Sequence, residues 1–184
     1  MAQVDESEVR RLVREAVERA LARPSAAPGP AAGGRKRVAI GADHGGYALK
    51  EVLKRFIAEE LDWEVYDCGT HSGEAVDYPD YAAAVGRAVA SGECGRGIVV
   101  DAAGIGSTMA ANKIPGVRCA LCHDDATVRN AREHNDANVL ALGARVVNRG
   151  LATRMVRLFL ATPFGGGRHE RRVQKIMALE RGAG

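Results

Sequence analysis

Beyond residue 36, short apolar runs alternate with longer stretches whose apolar residues recur every three or four positions. The runs Val38–Ala42, Glu64–Cys68, Gly97–Asp101, Val117–Cys122 and Val139–Leu142 have the length and apolar character of strands covered on both faces. The longer stretches predict helices over Tyr47–Glu60, Tyr81–Ala90, Ser107–Lys113, Ala126–Glu133, Leu151–Ala161 and His169–Arg181. Strand–helix alternation of this kind implies an α/β fold, a five-stranded parallel sheet with helices on both sides. Ligands in such folds bind beyond the carboxyl ends of the strands, where the glycines and polar residues of this chain gather.

Upstream the pattern changes. Val9, Leu12, Val13, Ala16, Val17, Ala20 and Leu21 fall on one helical stripe, so residues 5–22 read as an amphipathic helix. Asp5 with Glu8 forms a capping pair, and Pro24 stops the helix. The stretch PSAAPGPAAGG that follows has three prolines and no large apolar residue, so it reads as a tether. The expected organisation is a helix within residues 1–23, a linker over 24–35 and a globular domain over 36–184.

Composition acts here mainly by exclusion. In 184 residues, 46% hydrophobic and 27% charged content excludes wholesale disorder. A net charge of +3, with three Phe, four Tyr and one Trp, gives no basic stripe interleaved with aromatics, so nucleic acid is not an expected partner. No apolar run approaches the roughly 20 residues that cross a bilayer, and charges interrupt the N-terminal apolar stretch, so neither membrane nor secretion is expected. Four cysteines without a secretion signal point to a reduced, cytoplasmic protein. Cys119 and Cys122 have redox spacing but sit within a strand run, where residues three apart face opposite sides, so they read as core. The five histidines are scattered singly, which is poor metal-ligand spacing.

Three segments carry candidate chemistry. After the first strand, Asp43 and His44 precede Gly45 and Gly46 at the start of a helix, as an acid–base pair or as a helix cap. The dinucleotide pattern GxGxxG is absent. After the third strand, Asp101 stands beside Ala102, Ala103, Gly104, Ile105, Gly106 and Ser107, small residues whose backbone N–H groups would form a nest for an oxyanion or phosphate. Further on, His134 and Asn135 close a helix, Arg145 follows the fifth strand, and Arg168 and Arg172 lie one turn apart. Two guanidiniums so spaced fork a phosphate or form a solvated face, and a histidine at a helix C-terminus is commonly a charge–dipole contact.

Together these segments resemble the type B ribose-5-phosphate isomerase family, the group that also holds the galactose-6-phosphate isomerase subunits. The stretches that carry the resemblance are GADHGGYALKEVL, DCGT followed by DYPDYA, GIGSTMAANKIPGVRCAL, AREHNDANVLALGARVV and GGGRHERRV, in family order over about residues 36–180. The resemblance implies a Rossmann-like homodimer or dimer of dimers with active sites shared between subunits, and no metal or cofactor. It places Asp43 and His44 against sugar hydroxyls, His134 at ring opening with Asn135 beside it, and the Ala102–Gly106 backbone on an enediolate oxygen. Arg168 and Arg172, with Arg145 nearby, would hold the phosphate. One departure stands out. Family members abstract the substrate proton with a cysteine at the position of Asp101 or a glutamate at that of Ser107, and Ala103 stands where a hydroxyl residue is usual. Asp101 is the carboxylate left at the position of the base.

The expected function is therefore an aldose–ketose isomerase interconverting ribose 5-phosphate and ribulose 5-phosphate through an enediolate. The alternatives are a tetrose or hexose phosphate as substrate, or a non-catalytic phosphosugar-binding module that keeps Arg168, Arg172 and the loop. The N-terminal segment resembles the encapsulation peptides that carry enzymes into bacterial microcompartments, with a shell protein as partner of helix 5–22. An extra helix docked on its own oligomer is the other reading.

Overall fold

The computed structural model describes residues 36–180. The expected helix over 5–22, the linker and Arg181 lie outside the described residues. Strands β1 (Arg37–Ala42), β2 (Glu64–Asp67), β3 (Arg96–Asp101), β4 (Cys119–Leu121) and β5 (Val139–Gly143) alternate with helices. These are α1 (Tyr47–Glu60), α2 (Tyr78–Ala90), α3 (Ile105–Ala111), α4 (Asp125–Asn135), α5 (Arg149–Ala161) and α6 (Arg168–Leu179). All pairings are parallel, in the order β2-β1-β3-β5-β4. The α/β fold with a five-stranded parallel sheet is as expected. Among the described residues no helix is long and apolar enough to cross a membrane.

The period-two pattern of the strands sorts their side chains into two cores. Val38, Ile40, Ile98, Val100, Leu140 and Leu142 pack on one face against Leu53 and Ile57 of α1, Val128 of α4, and Met155, Val156 and Phe159 of α5. Ala39, Val99, Val139 and Ala141 face the other way, onto Ala82, Val85 and Val89 of α2 and Ala111 of α3. Each fully buried Val, Leu or Ile contributes roughly 1.5–3 kcal/mol. Cys119 and Cys122 fall in opposite cores, as expected for core residues three apart. Burial pushes their thiols up to about 12 and about 11, so neither is a nucleophile at neutral pH.

Some boundaries differ from the expected ones. Val117 donates its N–H to Ile114 (3.1 Å) and the Arg118 N–H goes to the Asn138 side chain (2.7 Å), so strand pairing begins only at Cys119. Helix α3 begins at Ile105 because Gly104, in a left-handed conformation (φ +81°), turns the chain there.

Because α1 follows β1 on one face and α3 follows β3 on the other, a crevice opens between their carboxyl ends. Its floor is braced. Fully buried Lys50 pairs with Asp67 (2.8 Å) and Glu51 (2.9 Å), and Asp67 also accepts the Gly69 N–H (2.9 Å). Gly69 and Thr70 then exchange backbone hydrogen bonds with Ala42, both at 2.7 Å. The chain entering Asp43 is thereby fixed against β2.

Candidate active site

At the carboxyl edge of the sheet the turn after β1 packs on the loop after β3. Asp43 is buried, and its Oδ1 accepts the Gly46 N–H (2.9 Å), closing the turn into α1. The N-cap of α1 is Gly46, with no side-chain cap, so Asp43 closes the turn before the helix instead of capping it. A side chain at Gly46 would overlap the Val100 carbonyl, so the approach of this turn to β3 requires glycine. His44 is exposed, with Nδ1 3.2 Å from the Val76 amide nitrogen, which ties it to the segment leading into α2.

Asp101 ends β3 and is 5% exposed. Its Oδ1 accepts N–H groups from Ala103 (2.8 Å) and Gly104, and its Oδ2 accepts that of Ser107 (2.9 Å). Burial pushes its pKa up, but the hydrogen bonds from Ser107, Gly104 and Ala103 outweigh it and hold the carboxyl below its ordinary value. Asp101 is therefore ionised at neutral pH and weakly basic. This arrangement also corrects the expected anion nest: the N–H groups of Ala103 and Gly104 are turned to the chain's own carboxylate. The part of the Ala102–Gly106 backbone open to a ligand is correspondingly narrower. Arg145 belongs to this edge, its N–H donating to the Ala102 carbonyl (3.0 Å) with the residue exposed.

His134, Asn135, Arg168 and Arg172 lie elsewhere. Helix α4 runs back from the carboxyl end of β4 to the start of β5, so its last turn sits at the opposite edge of the sheet. There Arg132, 1% exposed, donates to the Thr162 carbonyl (3.1 Å), the Ala137 carbonyl (2.6 Å) and Asp136 (2.8 Å). Gly165 donates to the Glu133 carbonyl (2.9 Å). These bonds hold the end of α4 against the segment leading into α6, and the His134 and His169 rings stack with centroids 4.1 Å apart and planes 4° apart. Partial burial, His134 and the two arginines hold the His169 pKa below its ordinary value. Arg168 and Arg172 are exposed and pair with no carboxylate among the described residues.

Strands of five or six residues at about 3.3 Å per residue put roughly 15–20 Å between the two edges. The three arginines expected around one phosphate therefore do not meet within one chain: Arg145 is at one edge, Arg168 and Arg172 at the other. An apolar cavity of about 440 Å³, lined by Leu121, Asn130, Asn135 and Ile176, lies along the free edge of β4 and does not include Asp101.

Three residues at these edges escape sequence reasoning. Tyr78 covers Gly106, where a Cβ would lie 2.5 Å from its ring; the DYPDYA motif held it without showing that contact. His169 is visible only as a neighbour of Arg168. Asn130 donates toward His134 Nδ1 (2.9 Å), and its i, i+4 spacing was the available signal. Among the described residues no group of three or more His, Cys, Asp or Glu is placed to hold a metal ion.

The family described as Ribose/Galactose Isomerase matches residues 38–176. Ribose-5-phosphate isomerase B of Escherichia coli is 43% identical over 145 residues, covering 79% of this chain and 97% of that one. Among solved structures, a ribose-5-phosphate isomerase B of Clostridium thermocellum superposes with a TM-score of 0.78 at 49% identity, over 80% of this chain and 99% of that chain. The type B ribose 5-phosphate isomerase of Trypanosoma brucei gives 0.76 at 48% identity, over 80% and 99%. With the ADHGG turn and the Asp101 loop at one edge of this sheet and the REHN and GGRH segments at the other, the chain belongs to the ribose/galactose isomerase family and is a sugar-phosphate isomerase.

Proposed function

We propose that the chain interconverts ribose 5-phosphate and ribulose 5-phosphate in a homodimer whose sites each combine one protomer's carboxyl edge with its partner's opposite edge. The observation that carries this reading is the separation of Asp43, His44 and Asp101 from His134, Arg168 and Arg172 across one sheet. Exposed apolar side chains support it at both places: Tyr78, Ile105, Met109 and Val146 near the first set, Ile176 and Leu179 near the second. A two-fold axis joins unlike patches twice, which completes two sites at once. The names of the relatives support ribose 5-phosphate as substrate.

In this reading Arg168 and Arg172 of one protomer hold the phosphate, with Arg145 of the other beside it. Asp43 and His44 hold sugar hydroxyls, and His134 with Asn135 opens the ring. Asp101 moves the proton between the two carbons while the backbone near Ile105 and Gly106 steadies the enediolate oxygen. No metal or cofactor takes part. The N-terminal segment is an address for a microcompartment shell, read from its stripe and tether alone.

A test mixes Asp101→Asn with the double variant Arg168→Ala/Arg172→Ala, at a substrate concentration low enough that neither turns over measurably alone. Shared sites restore about a quarter of the wild-type activity, because half of the dimers are mixed and each has one intact site. No recovery in a verified mixed dimer overturns the shared site.

Incubation of ribose 5-phosphate in D2O tests the substrate: deuterium entering C2 supports ribose 5-phosphate, and binding with neither exchange nor product overturns it.

A further inference from the structure

The orientation of three side chains at the end of α4 fixes a proton. Asn135 Nδ2 lies 3.1 Å from the Asn130 backbone carbonyl, which can only accept, so that atom of Asn135 is the amide nitrogen. The same nitrogen lies 3.0 Å from the Asn130 side chain, and the atom it meets must be the amide oxygen. The other terminal atom of Asn130 is then its NH2 group, and it lies 2.9 Å from His134 Nδ1. A donor facing Nδ1 leaves that nitrogen as acceptor, so the neutral imidazole carries its proton on Nε2. Nε2 has no partner among the described residues, and the parallel His169 ring holds the ring plane.

We propose that Asn130, itself oriented by Asn135, is a positioning residue that makes His134 a hydrogen-bond donor toward the sugar. The proposal rests on the reading above that His134 serves ring opening. It assigns His134 one of two opposite parts in that step. An Nε2–H cannot take the proton of the C1 hydroxyl. It can meet the ring oxygen as that oxygen leaves C1 with the bonding electron pair. The C1–oxygen double bond forms as the C1 hydroxyl gives its proton to water, and water returns a proton to the former ring oxygen. No other reactant enters the balance.

The test is histidine ¹⁵N spectroscopy on the full chain, well above the ordinary histidine pKa of about 6.5, combined with kinetics. The wild type shows His134 as the Nε2–H tautomer. Asn130 is exposed and bonds only within α4, so Asn130→Asp folds. Its carboxylate accepts from Nδ1 and moves the proton there. kcat/KM on ribose 5-phosphate falls about tenfold, while an open-chain tetrose phosphate keeps its rate. A wild-type Nδ1–H tautomer, or an unmoved proton in Asn130→Asp, overturns the inference. A tautomer that switches with equal losses on both substrates supports the part of Asn130 and overturns ring opening by His134.

Discussion

The two edges of the sheet handle their polar groups in opposite ways. At the carboxyl edge the group placed for chemistry is also the group that holds the loop: the Asp101 carboxylate accepts three backbone N–H groups from the segment it would serve. At the other edge the tasks are divided. Buried Arg132 donates to the carbonyls of Thr162 and Ala137 and pairs with Asp136, so Arg172 and His134 Nε2 turn to no partner among the described residues and Arg168 bonds only its neighbour His169, at 3.5 Å. The first edge is a preformed loop that a single substitution changes in both stability and chemistry. The second is a scaffold carrying replaceable ligand groups. Damage at the first is therefore expected to move several properties together, and damage at the second to move one.

The largest effect is expected from Asp101→Asn. The variant keeps the shape of the side chain but sets an NH2 group against the Ser107 N–H or the loop amides. Turnover falls about 10²–10⁴-fold, as for loss of a general base, and stability falls by about 1–3 kcal/mol for the mispaired group. The stability difference has a defined pH dependence. The folded-state pKa of Asp101 is lowered, so its contribution is present above the unfolded value of 3.8 and disappears as pH falls through the folded value. Denaturation of the two proteins across that range should show the gap closing on acidification. A gap of constant size, or near-normal turnover, removes Asp101 from the part given to it.

Gly104→Ala reaches the same loop without touching the carboxylate. Gly104 has φ +81°, and a Cβ there would overlap Leu121 and lie 3.1 Å from the Gly143 nitrogen. The left-handed backbone costs about 1 kcal/mol for alanine and the crowding about 1–3 kcal/mol more. The thermal midpoint should drop and turnover with it, because the loop that must shift is the one bonded to Asp101. A fall in midpoint with unaltered turnover means that loop and base are not coupled, and the contrast between the edges fails there.

Much of this was legible in the sequence, and the reasons are local. Apolar continuity marked β1, β3 and β5 to within a residue or so, because those strands are buried on both faces. The extent of β4 was overestimated because Val117 and Arg118 are apolar-flanked yet taken up by a turn and by Asn138, which no periodicity records. The site residues were named from motifs, but their distribution over two edges follows from strand order, which alternation alone does not specify. The inward turning of the Ala103 and Gly104 amides was hidden for a related reason. A small-residue loop beside an aspartate reads as a nest for a ligand until the carboxylate is seen to occupy it.

The smallest effect is expected from the same substitution at the other edge, Gly165→Ala. Gly165 has no left-handed backbone to lose, and its Cβ would meet the Glu133 carbonyl oxygen at 2.9 Å, the atom that now accepts the Gly165 N–H. The contact is with a backbone oxygen, so the segment between α5 and α6 must shift at a cost of about 1 kcal/mol, while the Arg132 bonds to Thr162 and Ala137 keep the end of α4 in place. Arg168 and His169 then move slightly relative to His134, while Asp101 and its loop are untouched. KM for a phosphorylated substrate should rise about two- to fivefold with kcat nearly unchanged and the thermal midpoint lowered less than by Gly104→Ala, since small misplacements of a binding group weaken positioning first. Steady-state kinetics beside a melting curve reads all three quantities. If Gly165→Ala instead lowers kcat and the midpoint together, as Gly104→Ala should, then the second edge also joins stability to chemistry, and the division of tasks around Arg132 is wrong.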